Sequence, residues 1–211
     1  MTSTTSSPGI AVRDSIAGQL HARLHALGPR AGRHTPEALR TFAELRRGVG
    51  HRFGDVPGAD AALLGLIHFP PDEDGSPPRM TPQLGRLLDD ALMVASLAAF
   101  GRPAVALITT GTTRSGRRSF GTDCRPLRAT RPTAAEALFR SILGAEREDL
   151  DVHLRRAIIL LGGDGHSLDV ASLLRDLGEW GYDGRPVQKR WAYHFWAESG
   201  TEFNDATKGE T

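Results

Sequence analysis

Residues 81–100 limit the fold more than any other part of this sequence. Thr81-Pro82 supplies a capping hydroxyl and then a proline at a first helical position, where its missing N–H and fixed φ cost nothing. The turns that follow are amphipathic, with Arg86, Asp89 and Asp90 assigned to the outside. From 91 to 100 the residues are apolar almost all round, and Gly101-Arg102-Pro103 closes the run. A helix apolar on every side must be surrounded by other elements, so it is predicted to be central and buried.

The surrounding elements read as helices too. Ile16, Leu20, Leu24 and Leu27 make a stripe at helical spacing near 10–27, ended by Gly28-Pro29. Thr35-Pro36 opens a helix near 36–47 that aligns Ala38, Phe42, Leu45 and Val49. A short helix near 59–67 carries Leu63, Leu64 and Ile67 and stops at Phe69-Pro70-Pro71. Beyond residue 131, Thr133 and Glu136 have capping-box spacing before Leu138, Phe139 and Ile142. Leu150, Leu154, Ala157, Ile158 and Leu161 align a helix near 147–161, broken by Gly162-Gly163-Asp164-Gly165. Ser167 is placed to cap a helix bearing Val170, Leu173, Leu174, Leu177 and Trp180. Val187, Trp191 and Phe195 mark the last one; Trp196 points elsewhere, toward a neighbour or a partner. No segment alternates as a strand does, although 105–108 fits either a short strand or a buried helical turn. The expectation is an all-α fold of two small packed bundles, about eight helices in all. Its parts are a disordered leader (1–9), an N-terminal bundle (10–100), an arginine-rich irregular connector (101–131), a C-terminal bundle (132–198) and a flexible tail (199–211).

A formal net charge of +1 hides a segregated distribution. Residues 1–52 balance at +5, 53–90 at −5, 91–131 at +6 and 132–211 at −5, and only Lys189 and Lys208 are lysine. Charge asymmetry of this kind points to a basic surface with its own partner. Arginine suits that role, because its planar fork binds phosphate in two places and stacks on bases. The single cysteine, Cys124, can form no internal disulfide and anchors no multi-cysteine zinc site. No apolar run approaches the length of a membrane span, and 1–9 lacks the pattern of a secretory signal, so a cytoplasmic protein is expected. No cofactor is implied.

Several cations sit where packing does not need them. Arg40 and Arg47 share the solvent side of the 36–47 helix, and Arg46 lies at the edge of its apolar stripe. Arg155 and Arg156 flank the outer side of the 147–161 helix, and Lys189 and Arg190 face away from Val187 and Phe195. In the connector, Arg117, Arg118, Arg125 and Arg128 stand in a stretch whose only acid is Asp123. These ten, Arg40 aside, are the candidate nucleic-acid contacts. No paired stacking aromatics accompany them, so the pattern points to backbone contact rather than base reading.

Rival chemistries are thinner. His21 and His25 have the i, i+4 spacing of a zinc pair but no His-Glu-x-x-His glutamate; two solvated histidines fit better. Asp72, Glu73 and Asp74 could form the acidic metal cluster of a nuclease, but they lie among prolines and glycines, where a solvated loop fits better. The run 162–166 follows a helix and lacks the Lys-Ser/Thr ending of a phosphate loop; it reads as a C-cap. A helix-turn-helix regulator would read DNA with 167–179 or 186–198, although both carry core stripes.

The C-terminal half has a familiar order of motifs. Phe139-Arg140-Ser141-Ile142-Leu143, Arg147-Glu148-Asp149-Leu150 and His153-Leu154-Arg155-Arg156 come first. Leu173-Leu174-Arg175-Asp176-Leu177 with Trp180 follows, then Val187-Gln188-Lys189-Arg190-Trp191-Ala192 with Phe195-Trp196. Together with Leu45-Arg46-Arg47 and Gly116-x-x-Ser119-Phe120-Gly121, this order resembles the CasB family, the small subunit of the type I-E CRISPR Cascade complex. The resemblance runs from about 36 to 197. It implies a two-bundle helical fold without enzymatic activity, present as two copies beside the RNA-binding subunits. It also implies contacts to guide RNA and target DNA that stabilise the R-loop and the displaced strand. The positions that match are Arg46, Arg47, Arg155, Arg156, Lys189 and Arg190; the four connector arginines are added from charge alone.

Overall fold

The computed structural model describes residues 8–28, 35–71, 75–100 and 118–197. Ten helices and no strand occur among them: α1 (Pro8–Ala26), α2 (Pro36–Arg47), α3 (Pro57–Leu64), α4 (Pro82–Phe100), α5 (Phe120–Cys124), α6 (Leu127–Thr130), α7 (Pro132–Gly144), α8 (Leu150–Gly163), α9 (Val170–Gly178) and α10 (Pro186–Trp196). Eight of these correspond to the predicted helices. The other two, α5 and α6, fall in the part of the connector expected to be irregular. The candidates for short strand and loop at 101–117 lie outside the described residues.

α4 is the axis of the molecule. It packs against α1, α2 and α3 on one side of the chain and against α8 and α9 on the other. Its second half buries Ala91, Leu92, Val94, Ala95, Leu97 and Ala99, as the apolar run required. The buried apolar residues of both bundles form one cluster, so the halves share a core across α4 and the α1–α9 contact. The far end of that core is aromatic. Phe139 stacks on Phe195 with centroids 3.9 Å apart, and Trp191 lies 4.9 Å from Phe120 and 5.0 Å from Trp180. Trp196 sets its edge against Phe139, so its partner is inside the chain. Truncating a buried ring of this kind to alanine typically costs about 3–5 kcal/mol.

Helix starts follow local chemistry, with two corrections. Thr35 caps α2 by accepting the Ala38 N–H at 3.2 Å, and Thr81 accepts that of Leu84 at 3.1 Å. The predicted capping box at Thr133 is replaced by an earlier start. Pro132 sits within the first turn after Arg131, and Glu136 turns outward to pair with Arg140. α9 is capped by Asp169 rather than Ser167, because the Asp169 carboxylate takes the Ser172 N–H at 2.9 Å.

Asp90 departs most from the sequence reading. It was assigned to the solvent side of its helix, yet its side chain is only 7% exposed. Arg13 from α1 reaches it at 2.7 Å, and Arg147, just before α8, pairs with its other oxygen. Two cations from opposite bundles thus neutralise a carboxylate that burial alone would not tolerate.

Candidate nucleic-acid interface

Two of the candidate arginines, Arg46 and Arg155, meet the C-terminal turn of α4. A helix ends with unsatisfied carbonyls and a partial negative charge, which favours cations nearby. Burial of Ala38, Phe42 and Leu45 fixes the rotation of α2 and brings Arg46 beside this end. The Arg46 Nε–H donates to the Ala99 carbonyl at 2.7 Å, while the residue as a whole stays exposed. On the other flank, burial of Leu154, Ala157, Ile158 and Leu161 turns Arg155 and Arg156 of α8 outward. The Arg155 guanidinium carbon lies 4.2 Å from the centroid of the Phe100 ring. The two flanks adjoin: a Cβ built on Gly50, just past α2, would come 3.5 Å from the Asp151 carboxylate of α8. Arg46 and Arg155, far apart in sequence, therefore meet adjacent residues at the end of α4, while Arg156 lines the groove between α7 and α8 beside Ala137 and Ile159. Arg47 pairs with Glu44 at 3.0 Å in an exposed contact of little energetic weight. Arg156 and Lys189 are exposed and have no ionic or hydrogen-bonding partner among the described residues.

The other candidates have inward-facing partners. Arg125 donates to the His194 carbonyl at 2.8 Å. Arg128 donates to the Phe195 carbonyl at 3.1 Å and lies over the Phe195 ring. Both complete the C-terminal turn of α10, whose last carbonyls have no partner within the helix. Arg190 bridges to Asp176 at 2.7 Å, and Arg118 to Asp123 at 2.5 Å. Arg117 lies outside the described residues. Charge by itself marked the connector arginines for phosphate, and the structure uses three of them to close helix α10 and to neutralise a buried acid.

Around them is a polar knot. Asp123 accepts the Asp169 N–H at 2.8 Å as well as Arg118, so it ties α5 to the start of α9. Burial pushes its carboxyl from the ordinary 3.8 up to about 6, against the lowering effects of the Asp169 N–H and Arg118. The folded chain therefore holds a proton that the unfolded chain has lost between about pH 4 and 6. Stability contributed by that proton is present below pH 4 and lost as pH rises through 6, by about 3 kcal/mol at most. Unfolding free energies of wild type and Asp123→Asn, measured from pH 4 to 7, should show wild type losing ground to the variant across that window. Parallel curves would refute the assignment. Next to the knot, the Ser119 hydroxyl lies 2.7 Å from Nδ1 of His194, whose pKa is lowered by burial and by the Arg125 and Arg190 cations. Ser119 is 1% exposed, which closes it to any substrate, so the pair is a structural link between α5 and α10.

The sequence profile of the family described as CRISPR-associated protein Cse2 matches residues 41–196. The chain belongs to the Cse2 family. Solved structures with a similar fold include a Cse2-family protein from Thermus thermophilus, 21% identical, covering 92% of this chain and all of that one with a TM-score of 0.60. CasB from M. ruber is 25% identical, covering 86% and 93% at 0.58. A chain of a structure described as a CRISPR RNA-guided surveillance complex is 20% identical, covering 87% and 92% at 0.57. No match was found among curated proteins. The CasB resemblance read from the sequence thus holds.

Several of the strings that carried the Cse2 likeness prove to be internal ties. Asp176 accepts the Trp191 indole N–H at 2.5 Å and also binds Arg190, which joins the Leu-Leu-Arg-Asp-Leu string to the Lys-Arg-Trp string. Ser119-Phe120-Gly121 caps α5, packs on Trp191 and lets two backbones touch. The sequence reading missed Arg13, Arg147 and Arg175 as ties; the last pairs with Asp14 at 2.7 Å. Their only signal was an acid beside an apolar run, which does not name its partner.

His21 is buried and His25 exposed, so the expected pair of solvated histidines is half wrong. Gly165 has φ +74° and the His166 N–H returns to the Leu161 carbonyl at 2.8 Å, the C-cap that was expected. α9 buries seven of its nine residues, so it has no face for a DNA groove. Asp72, Glu73 and Asp74 lie outside the described residues. No helix among the described residues is long and apolar enough to cross a membrane.

Proposed function

We propose that this Cse2-family chain is the small subunit of a type I-E Cascade complex in the cytoplasm, where it holds nucleic-acid backbone and catalyses nothing. Its partners in this reading are guide RNA, target DNA, the other Cascade subunits and a second copy of itself. The observation that carries the proposal is the meeting of Arg46 and Arg155 at the end of α4, with Arg156 of the same helix α8 exposed and unpaired among the described residues. Base pairing with a guide reads sequence, so the protein needs only phosphate contact. Opening the target duplex is a nearly balanced exchange, and a few such contacts on the displaced strand tip it.

Salt dependence tests this. Affinity of the full chain for single- and double-stranded DNA should fall steeply as salt rises, because each phosphate contact releases counterions. Arg156→Ala should melt like wild type and should reduce the logarithmic salt slope on single strands by about 0.7. Arg140→Ala, whose guanidinium is paired with Glu136, should leave the slope unchanged. No binding to any nucleic acid at low salt overturns the proposal.

A further inference from the structure

We propose that Arg155, seated on Phe100, is a stacking platform for one unpaired nucleobase, an inference that rests on the nucleic-acid reading above. Arginines near acids normally pair with them. Arg155 has Asp151 one turn before it on α8 and does not bridge to it; its contact among the described residues is the Phe100 ring at 4.2 Å. The ring is partly buried at the end of α4, so it fixes one side of the cation, while Arg155 itself is exposed. A guanidinium seated over a ring has one side covered and the other open to solvent, and the N–H donors of Arg155 are free among the described residues. That combination suits a base, which stacks on the plane while its edge or phosphate takes the N–H groups. Arg46 meets the adjacent residue of α4, Ala99. Only the arginine's Nε is spent there, which leaves both terminal nitrogens for the phosphate of the same nucleotide. A base inside a duplex has both faces covered, so the platform selects unpaired nucleotides. Binding here is blind to sequence, since every base has a π-face.

The experiment compares the full chain on two single strands of about ten nucleotides, one with bases and one abasic throughout. Wild type should prefer the strand with bases by roughly 5- to 150-fold, the range for stacking of one base. Arg155→Lys keeps the charge and loses the plane, so the preference should collapse toward one while the salt slope stays. Phe100→Leu should weaken the preference in the same direction. Salt-dependent binding with no preference in wild type, or a preference untouched by Arg155→Lys, overturns this inference and leaves the functional proposal standing. Absence of binding to both strands overturns both. Melting curves of Arg155→Lys verify that the variant is folded.

Discussion

Asp90→Ala should lower the unfolding free energy by about 3 kcal/mol. The change strands two guanidiniums, Arg13 at 20% and Arg147 at 31% side-chain exposure, that now share one buried carboxylate. Removing one partner of a buried ion pair typically costs about 3–5 kcal/mol. The lower end applies because both arginines can swing partly into water, and Arg13 keeps its bond to the Leu174 carbonyl at 3.1 Å. For a chain of this size the loss corresponds to a melting temperature lower by roughly 6–12 °C. Urea titration decides: the midpoint should fall with little change in slope. A shift under about 1 kcal/mol would show that hydrophobic packing alone joins the bundles. The replacement Asp90→Asn should cost less, since an amide oxygen still accepts from one arginine.

Gly121→Ala should be as damaging, although alanine is the better helix former. On an open helix the exchange would stabilise by about 1 kcal/mol. Here a Cβ would sit 2.1 Å from the Trp191 carbonyl oxygen and 2.9 Å from its carbonyl carbon and Cα, all backbone atoms. A side chain could rotate away; a helix backbone cannot. α5 and α10 must separate, which strains the Ser119–His194 link and the Arg125 cap together. Overpacking of this kind costs about 1–3 kcal/mol, and opposition by backbone puts this case at the upper end or beyond. Thermal melting and the near-ultraviolet signal of Trp191 should both report it. A variant as stable as wild type would mean that the close approach of α5 and α10 is wrong.

These two positions divide what was readable from what was not. Helices were legible because each writes a 3.6-residue stripe into its own sequence, and α4 could be placed at the centre because its second half has no polar face. Family membership was legible through the order of motifs. The sequence also named Arg46, Arg47, Arg155 and Arg156 as candidates for the proposed interface, and all four are exposed. The outcome for Asp90, for Arg125 and Arg128, and for Gly121 was decided only by tertiary structure. Charge along a chain does not say whether a cation meets water, a helix end or a buried acid, because those partners come from elements 53 to 77 residues away. The stacking of Arg155 on Phe100 is of the same kind. Local pattern fixes which face of a helix is apolar, but the partner of a polar side chain is set by how whole helices pack, and that information is not local.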